Sequence, residues 1–163
     1  MSVYVLALLI GIVAGLRAMT APAAVSWAAR LGWLPLQGTS LAFFGFAATP
    51  YIFTLLALLE LITDQLPETP SRKVPLQFGA RIVLGALSGA AISGVHGGLA
   101  GGSLVGVLGA VVGAVGAVLG TLGGAKARAA LANMFGRDAP AALIEDVVAI
   151  VGAALIVVSL HGF

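Results

Sequence analysis

Five apolar stretches, each about as long as a membrane-crossing helix, take up most of this 163-residue chain. A helix needs roughly 17–25 mainly apolar residues to cross a bilayer. The stretches run from Ser2 to Met19, or to Trp27 if unbroken, from Leu41 or Pro50 to Leu66, and over Leu76–Val95, Gly102–Gly123 and Pro140–Leu160. We therefore predict an all-α fold, in which residues 1–163 form one transmembrane domain, a polytopic helix bundle of about five transmembrane helices.

Composition narrows the class of protein further. The chain is 60% hydrophobic and 9% charged, whereas soluble domains carry about 25% charged residues. Its small basic excess is better explained by membrane topology than by nucleic acid, so the expected partner is the lipid bilayer. The absence of cysteine excludes disulfides, thiol nucleophiles and thiolate metal sites.

The distribution of Lys and Arg predicts an orientation. Five basic residues fall in the second and fourth predicted loops, and the first loop has only Arg30; the five are Arg72, Lys73, Lys126, Arg128 and Arg137. Cytoplasmic loops of membrane proteins are enriched in such residues. No Lys or Arg precedes the first apolar run, so we interpret it as a retained helix rather than a secretory signal. With five spans, the N-terminus is predicted to be cytoplasmic and the C-terminus outside.

Two places in the first half of the chain predict broken or kinked helices. Thr20-Ala21-Pro22 interrupts the first stretch and Thr49-Pro50 interrupts the second. Proline lacks a backbone donor, and Thr before Pro is typical of a helix start. One interpretation is a short helix over Ala21–Leu31 and another around Leu41–Ala48, forming a hairpin that enters from the outside. The other is two continuous helices with proline kinks, which are common in membranes.

A regular stripe of glycine marks the fourth stretch. Its members are spaced alternately by four and three residues: Gly102, Gly106, Gly109, Gly113, Gly116, Gly120 and Gly123. One face of this helix therefore lacks side chains, and small residues at such spacing favour close helix packing in lipid. We predict that this face packs tightly against another helix, with a homo-oligomer formed through the glycine-rich helix as the expected assembly.

Six charged residues lie inside or at the mouth of the apolar stretches: Arg17, Glu60, Asp64, Arg81, Glu145 and Asp146. A charged side chain within a membrane is costly and usually marks a substrate or ion site. Glu60 and Asp64 share one helical face because they are four residues apart. We predict that all except Arg17 gather in the cytoplasmic half, as an ion- or substrate-binding site or as a structural ion-pair network. Arg17 is predicted to lie towards the outside, either at a solute path beside the break at Thr20 or extended to the interface.

No motif for a cofactor or a catalytic nucleophile is present, so we expect no cofactor and identify no catalytic residue. The carboxylates are hard oxygen ligands that would suit Mg²⁺, Ca²⁺ or Mn²⁺, but the pattern does not specify a metal.

Several short motifs resemble a family of small bacterial integral-membrane proteins, the DUF4126 type, whose function is unknown. The resemblance rests on Gly15-Leu16-Arg17 with Pro22, on Glu60, Asp64 and Pro67, on Thr69-Pro70-Ser71-Arg72, on Arg81 and on Leu143-Ile144-Glu145-Asp146. It covers most of the chain. It implies a bacterial source and a location in the inner membrane, and it supplies no activity.

Three functions fit these patterns. The first is a transporter or channel for an ion or small polar solute. The second is a packing or assembly protein without a solute site. The third is a metal-dependent enzyme acting on lipid head groups, in which the carboxylates would hold Mg²⁺ and Arg81 or Arg72 would hold a phosphate.

Overall fold

A computed structural model of the chain describes residues 2–64, 74–94 and 104–161. Within these ranges the regular structure is entirely helical, which confirms the predicted all-α class. Six α-helices follow one another, with a short 3₁₀ helix at Ala42–Gly45 between the second and third: α1 Val3–Leu16, α2 Thr20–Arg30, α3 Thr49–Thr63, α4 Pro75–Gly94, α5 Leu104–Phe135 and α6 Asp138–Leu160.

Proline and glycine set many of the helix boundaries. A proline lies in the first turn of α2, α3, α4 and α6, at Pro22, Pro50, Pro75 and Pro140. The first four N–H groups of a helix have no partner within the helix, so a residue without N–H costs nothing there. Gly32 and Gly136 have φ of 81° and 66°, and they end α2 and α5 in the left-handed conformation that glycine adopts freely.

Three of the helices are long and apolar enough to cross a membrane: α4, α5 and α6. With 14 and 15 residues, α1 and α3 are apolar but shorter than a usual span. The predicted count of five spans is therefore not confirmed. The predicted end of the fourth stretch at Gly123 is also wrong. Good helix formers such as Ala, Lys and Leu continue α5 to Phe135, which places Lys126 and Arg128 in the helix rather than in a loop.

The first stretch is broken, not kinked. Between α1 and α2 the chain leaves the helix at Arg17, which is extended at φ −138° and ψ 109°. Two contacts with α6 show that the chain then reverses. Arg17 pairs with Asp146, whereas the Trp33 ring lies 5.0 Å from the His161 ring. From Arg17 to Trp33 the chain thus follows the direction of α6, against that of α1.

Helices that follow one another in the sequence alternate in direction. Gly152 of α6 faces Val13 and Asp146 pairs with Arg17, so α6 is antiparallel to α1. α1 and α2 therefore begin at opposite ends of the bundle. Val3 and Leu160 lie at the same end, which we name the terminal end. The opposite end, where the chain turns from α1 into α2, is the turn end. The sequence predicts the two termini on opposite sides of the membrane, and that orientation is not shown. Within the bundle, the reversal at Arg17 adds a change of direction that brings Val3 and Leu160 to one end.

The predicted hairpin also has different arms from those expected. Its arms are α1 and α2, joined at residues 17–19, rather than α2 and the segment around Leu41–Ala48. That segment forms only the 3₁₀ helix at Ala42–Gly45. α3 lies antiparallel to α2, because the Trp27 indole N–H donates to the Thr54 hydroxyl (3.0 Å) near the terminal end while Glu60 reaches the start of α2.

The glycine stripe of α5 fits between α1 and α4 of the same chain. A Cβ atom placed on Gly109 or Gly113 would lie 2.7 or 2.3 Å from a carbonyl oxygen of α4, and one on Gly116 or Gly120 would lie 2.3 or 2.2 Å from one of α1. Gly106 is half-buried, Gly123 is exposed and Gly102 lies outside the described residues. The four buried glycines already pack against α1 and α4 of the same chain, so the expected homo-oligomer through this face is not supported.

We expect Gly116→Ala to lower the thermal unfolding midpoint of the purified protein. The new methyl group would meet the Leu8 carbonyl, and overpacking of this kind costs about 1–3 kcal/mol. Gly123→Ala is the matched control, because nothing lies within 4 Å of its Cβ position. There alanine should leave the midpoint unchanged or raise it, since alanine favours the helix by about 1 kcal/mol over glycine. Equal midpoints for the two variants would contradict the packing.

Candidate functional site

The turn between α1 and α2 leaves backbone groups without helical partners at the turn end of the bundle. Glu60 of α3 satisfies the donors that lead into α2. Its Oε1 accepts the N–H of Ala18 at 2.8 Å and its Oε2 accepts the N–H of Met19 at 2.9 Å. A carboxylate at the N-terminus of a helix is favoured by the helix dipole and by the free N–H groups.

Arg81 of α4 satisfies the acceptors at the other side of the same turn. Its Nη1 donates to the carbonyls of Gly15 (2.9 Å) and Leu16 (2.8 Å), at the C-terminal end of α1. Its Nη2 donates to Glu60 Oε1 at 3.2 Å, which closes an ion pair across the turn. The turn is therefore held by a cation at the end of α1 and by an anion at the start of α2, as the two helix dipoles require.

Arg17 forms the centre of a second set of ion pairs. Its side chain is completely buried, and its two Nη atoms approach Asp64 at the end of α3 and Asp146 of α6. The predicted separation of Arg17 from the other site residues is therefore wrong. That prediction assumed that α1 crosses the whole membrane from the cytoplasmic side. The reversal at Arg17 instead brings the residue to the level of the carboxylates.

Arg128 of α5 is a site residue that the sequence analysis missed. Its Nη1 lies 3.5 Å from Glu145 Oε2, and its Nε donates to Asp138 Oδ1 at 3.0 Å. The predicted end of α5 at Gly123 had placed Arg128 in a loop. A usable signal was its spacing of seven residues from Thr121, because this places both on one helical face. The Thr121 hydroxyl donates to the Gly15 carbonyl at 3.1 Å, directly beside Arg81.

These contacts form three sets of ion pairs at the turn end, centred on Arg17, Arg81 and Arg128, and we call them together the ion network. Its members are Arg17, Arg81, Arg128, Glu60, Asp64, Asp138, Glu145 and Asp146. It contains all six predicted charged residues and five of the six acidic residues in the chain. When all groups are ionised, three positive and five negative charges give a net charge of −2. Asp138 is 61% exposed. Without it, the inner part of the network still carries one excess negative charge.

An open cavity of about 300 Å³ lies beside the network, between α3, α4 and the turn. Its walls combine leucine and alanine side chains with polar groups, and the lining residues are Ala18, Met19, Leu56, Leu59, Glu60, Thr63, Asp64, Gln77, Ala80 and Arg81. Three of the six predicted site residues line it: Glu60, Asp64 and Arg81. Gln77 was not predicted, because a single amide in the first turn of a helix gives no sequence signal.

The network resembles an ion-pair site more than a metal centre. Among the residues that the structure describes, no group of three or more His, Cys, Asp and Glu side chains is arranged to hold a metal ion. Each inner carboxylate instead has a guanidinium nearby. His161 contacts Trp33, and His96 lies outside the described residues, as do Arg72 and the motif Thr69-Pro70-Ser71-Arg72.

Comparison with known proteins identifies no relative. No protein-family model matches the chain, and no curated protein or solved structure matches it either.

Proposed function

We propose that this chain is a small integral membrane protein that moves an ion or a small polar solute, as a transporter or a channel. The observation that carries the proposal is Arg17, a fully buried guanidinium at a break between two short helices, paired with carboxylates from two other helices. Intramembrane ion networks of this kind are expensive and typically mark ion or substrate pathways. Broken helices at such sites are a common construction in transporters.

The membrane location draws support from the outer surfaces of the helices. Large apolar side chains on α3, α5 and α6 are about half exposed, among them Leu58, Val111 and Val151. A soluble monomer rarely exposes so continuous an apolar surface. Lipid would cover these faces, while the charged groups are directed into the bundle.

For the orientation, we propose that the turn end is cytoplasmic and that both termini are outside. Lys126, Arg128 and Arg137 lie in α5 and its connection to α6 at the turn end, and Arg72 and Lys73 occur in the sequence between α3 and α4. Cytoplasmic ends are enriched in such residues. In this orientation α1 and α2 form a re-entrant hairpin that enters from the outside. With 14 residues, α1 extends about 21 Å at 1.5 Å per residue, less than the hydrocarbon thickness.

The resemblance to the DUF4126 type and the location in the bacterial inner membrane remain part of this proposal.

The excess negative charge and the open cavity favour a cation, or a solute that carries a positive or hydrogen-bonding group. Glu60 and Asp64 both reach the cavity, and their side chains are 13% and 14% exposed. A species entering between α3 and α4 would meet these two carboxylates next to the turn.

Flux in proteoliposomes tests this proposal. Purified protein in vesicles should carry at least one of a panel of protons, Na⁺, K⁺, Mg²⁺ and guanidinium above the background of protein-free vesicles. Asp64→Asn should reduce that flux, while Arg30→Gln, which removes an exposed charge outside the network, should leave it near the wild-type rate. Background flux for the whole panel would contradict the proposal.

A packing or assembly protein is the second candidate, because the guanidinium groups of Arg17, Arg81 and Arg128 all pair within the chain. It predicts normal function for the amide variants of the carboxylates. The structure gives less support to an enzyme acting on lipid head groups, because the two Nη atoms of Arg81 are already bonded to Glu60 and to two carbonyls. A phosphate would have to replace these bonds.

A further inference from the structure

The cavity between α3 and α4 is lined by leucine in one part and by carboxylates in another. Leu56, Leu59, Glu60 and Asp64 of α3 all reach it. Leu56, Glu60 and Asp64 follow one another at intervals of four residues, so they lie on one face of the helix. Because α3 ends at the turn end, the carboxylates lie on the turn-end side of the leucines. From Leu59 to Asp64 the helix rises about 7.5 Å, a span that one small organic molecule can bridge.

The carboxylate part of the cavity can accept hydrogen bonds from a ligand. Asp64 lines the cavity, and its Oδ2 is bonded to Arg17. Within the part of the chain that the structure describes, no donor reaches its Oδ1. An ionised carboxylate has about four acceptor positions, so Asp64 has capacity left for a second donor. Gln77 of α4 also lines the cavity and carries an amide oxygen, which is a further acceptor.

The charge of the network favours a ligand with one positive charge. Without the exposed Asp138, the three guanidinium groups face four carboxylates, and one monovalent cation would balance the difference. An anion would have to displace the bonds that Arg81 makes to Glu60 and to two carbonyls. Mg²⁺ prefers six oxygen ligands, and the described residues hold no group of three or more His, Cys, Asp and Glu side chains arranged for a metal.

The leucine part of the cavity favours an organic cation over a bare alkali ion. Na⁺ or K⁺ gains nothing from contact with Leu56 and Leu59, whereas burial of an alkyl group against them is favourable. Sites for small molecules combine mainly apolar walls with a few polar groups that fix the orientation. A volume of about 300 Å³ lies at the small end of such sites, which suits a ligand of low molecular mass.

We propose that this cavity binds a small organic monocation that carries N–H donors on a short alkyl body. The N–H donors contact Asp64 and Gln77, and the alkyl body lies against Leu56 and Leu59. The inference rests on the proposed transport function, for which it names the substrate class.

A series of related ligands tests the proposal on the wild-type protein. The probe is n-butylguanidinium, because a guanidinium stays charged at any working pH. Guanidinium lacks the alkyl body, n-butyltrimethylammonium lacks the N–H donors, and butyrate has the opposite charge. Isothermal titration calorimetry on the purified protein measures the four affinities. We expect n-butylguanidinium to bind about tenfold or more tightly than guanidinium and n-butyltrimethylammonium, and butyrate not to bind. Equal affinities of n-butylguanidinium and either of the other two cations would overturn the proposal.

Two neighbouring leucines give a matched pair of variants. Leu59 lines the cavity and Leu58 does not, although the two side chains are 48% and 51% exposed. Leu59→Ala should weaken n-butylguanidinium about fourfold or more, the value of one buried methylene group, and leave guanidinium unchanged. Leu58→Ala should change neither affinity. Equal weakening by the two variants would indicate binding to the outer surface or to detergent and would also overturn the proposal.

Flux of n-butylguanidinium, added to the proteoliposome panel, separates failure of this inference from failure of the proposed function. Flux of any panel ion without selective binding of n-butylguanidinium would leave a transporter and remove the organic cation from its cavity. Selective binding with background flux of every species, n-butylguanidinium included, would leave the binding site and contradict transport.

Discussion

Replacing Arg17 by methionine should destabilise the protein more than any other single substitution in the network. The change leaves Asp64 and Asp146 facing each other without their shared cation. Removing one partner of a buried ion pair costs about 3–5 kcal/mol, because the remaining charge is left uncompensated. Thermal unfolding of the detergent-solubilised protein measures the effect. Arg30→Met is the matched control, because Arg30 is exposed at the end of α2.

Replacing Asp64 and Asp146 as well should restore most of the stability that Arg17→Met loses. In the triple variant Arg17→Met, Asp64→Leu, Asp146→Leu, no charge remains at the centre of the second set of ion pairs. Replacing a buried ion set with apolar residues is often neutral or stabilising by about 1–4 kcal/mol. The triple variant should therefore unfold near the wild-type midpoint. If Arg17→Met alone were as stable as the wild type, the buried ion pairs described here would be contradicted.

The second large effect is expected at Arg81, the cation that holds the α1–α2 turn. Arg81→Met removes the donor from the Leu16 carbonyl and the cation from Glu60, whereas the Gly15 carbonyl keeps the Thr121 hydroxyl. Leaving a buried acceptor unsatisfied costs about 1–3 kcal/mol, and more for a charged group. We expect a loss of about 3 kcal/mol or more in the free energy of unfolding.

The substitution Arg81→Lys distinguishes the effect of the positive charge from the effect of the guanidinium shape. The lysine ammonium keeps the positive charge but lacks the planar fork with which Arg81 reaches three acceptors. Arg81→Lys should therefore recover only part of the stability lost in Arg81→Met. Full recovery would show that charge alone holds the turn. In a double-mutant cycle, Arg81→Met and Glu60→Gln should be strongly non-additive, because the two side chains share a contact and one turn.

The sequence predicted the identity of the charged residues better than their arrangement. Their cost in an apolar chain marks Arg17, Glu60 and Arg81 as functional candidates without any structural information. The ion-pair partners of these residues depend on where the chain reverses after the first helix. Residues 17–19 contain neither proline nor glycine, so the sequence places the break nearer Pro22 and leaves its direction open. An error in one helix direction then misplaces Arg17 relative to every carboxylate.

Arg128 was not predicted as a site residue for a different reason. Basic residues near the end of an apolar stretch indicate topology, and this interpretation places Lys126 and Arg128 in a loop. The helix continues because nothing before Gly136 ends it, and the extra turns carry Arg128 to Glu145 and Asp138. The glycine stripe had a similar ambiguity. Its spacing predicts a close partner helix but does not distinguish α1 and α4 of the same chain from a second copy.

We propose that the ion network serves transport and is not only a support for the turn. Flux through proteoliposomes containing the triple variant Arg17→Met, Asp64→Leu, Asp146→Leu tests it most directly, because that variant should remain folded without the charges. The assay uses the ion or solute that wild-type vesicles carry, at matched protein content. We predict a folded protein whose flux falls to the background of protein-free vesicles. Wild-type flux from the folded triple variant would contradict the account and leave the network with a structural role alone.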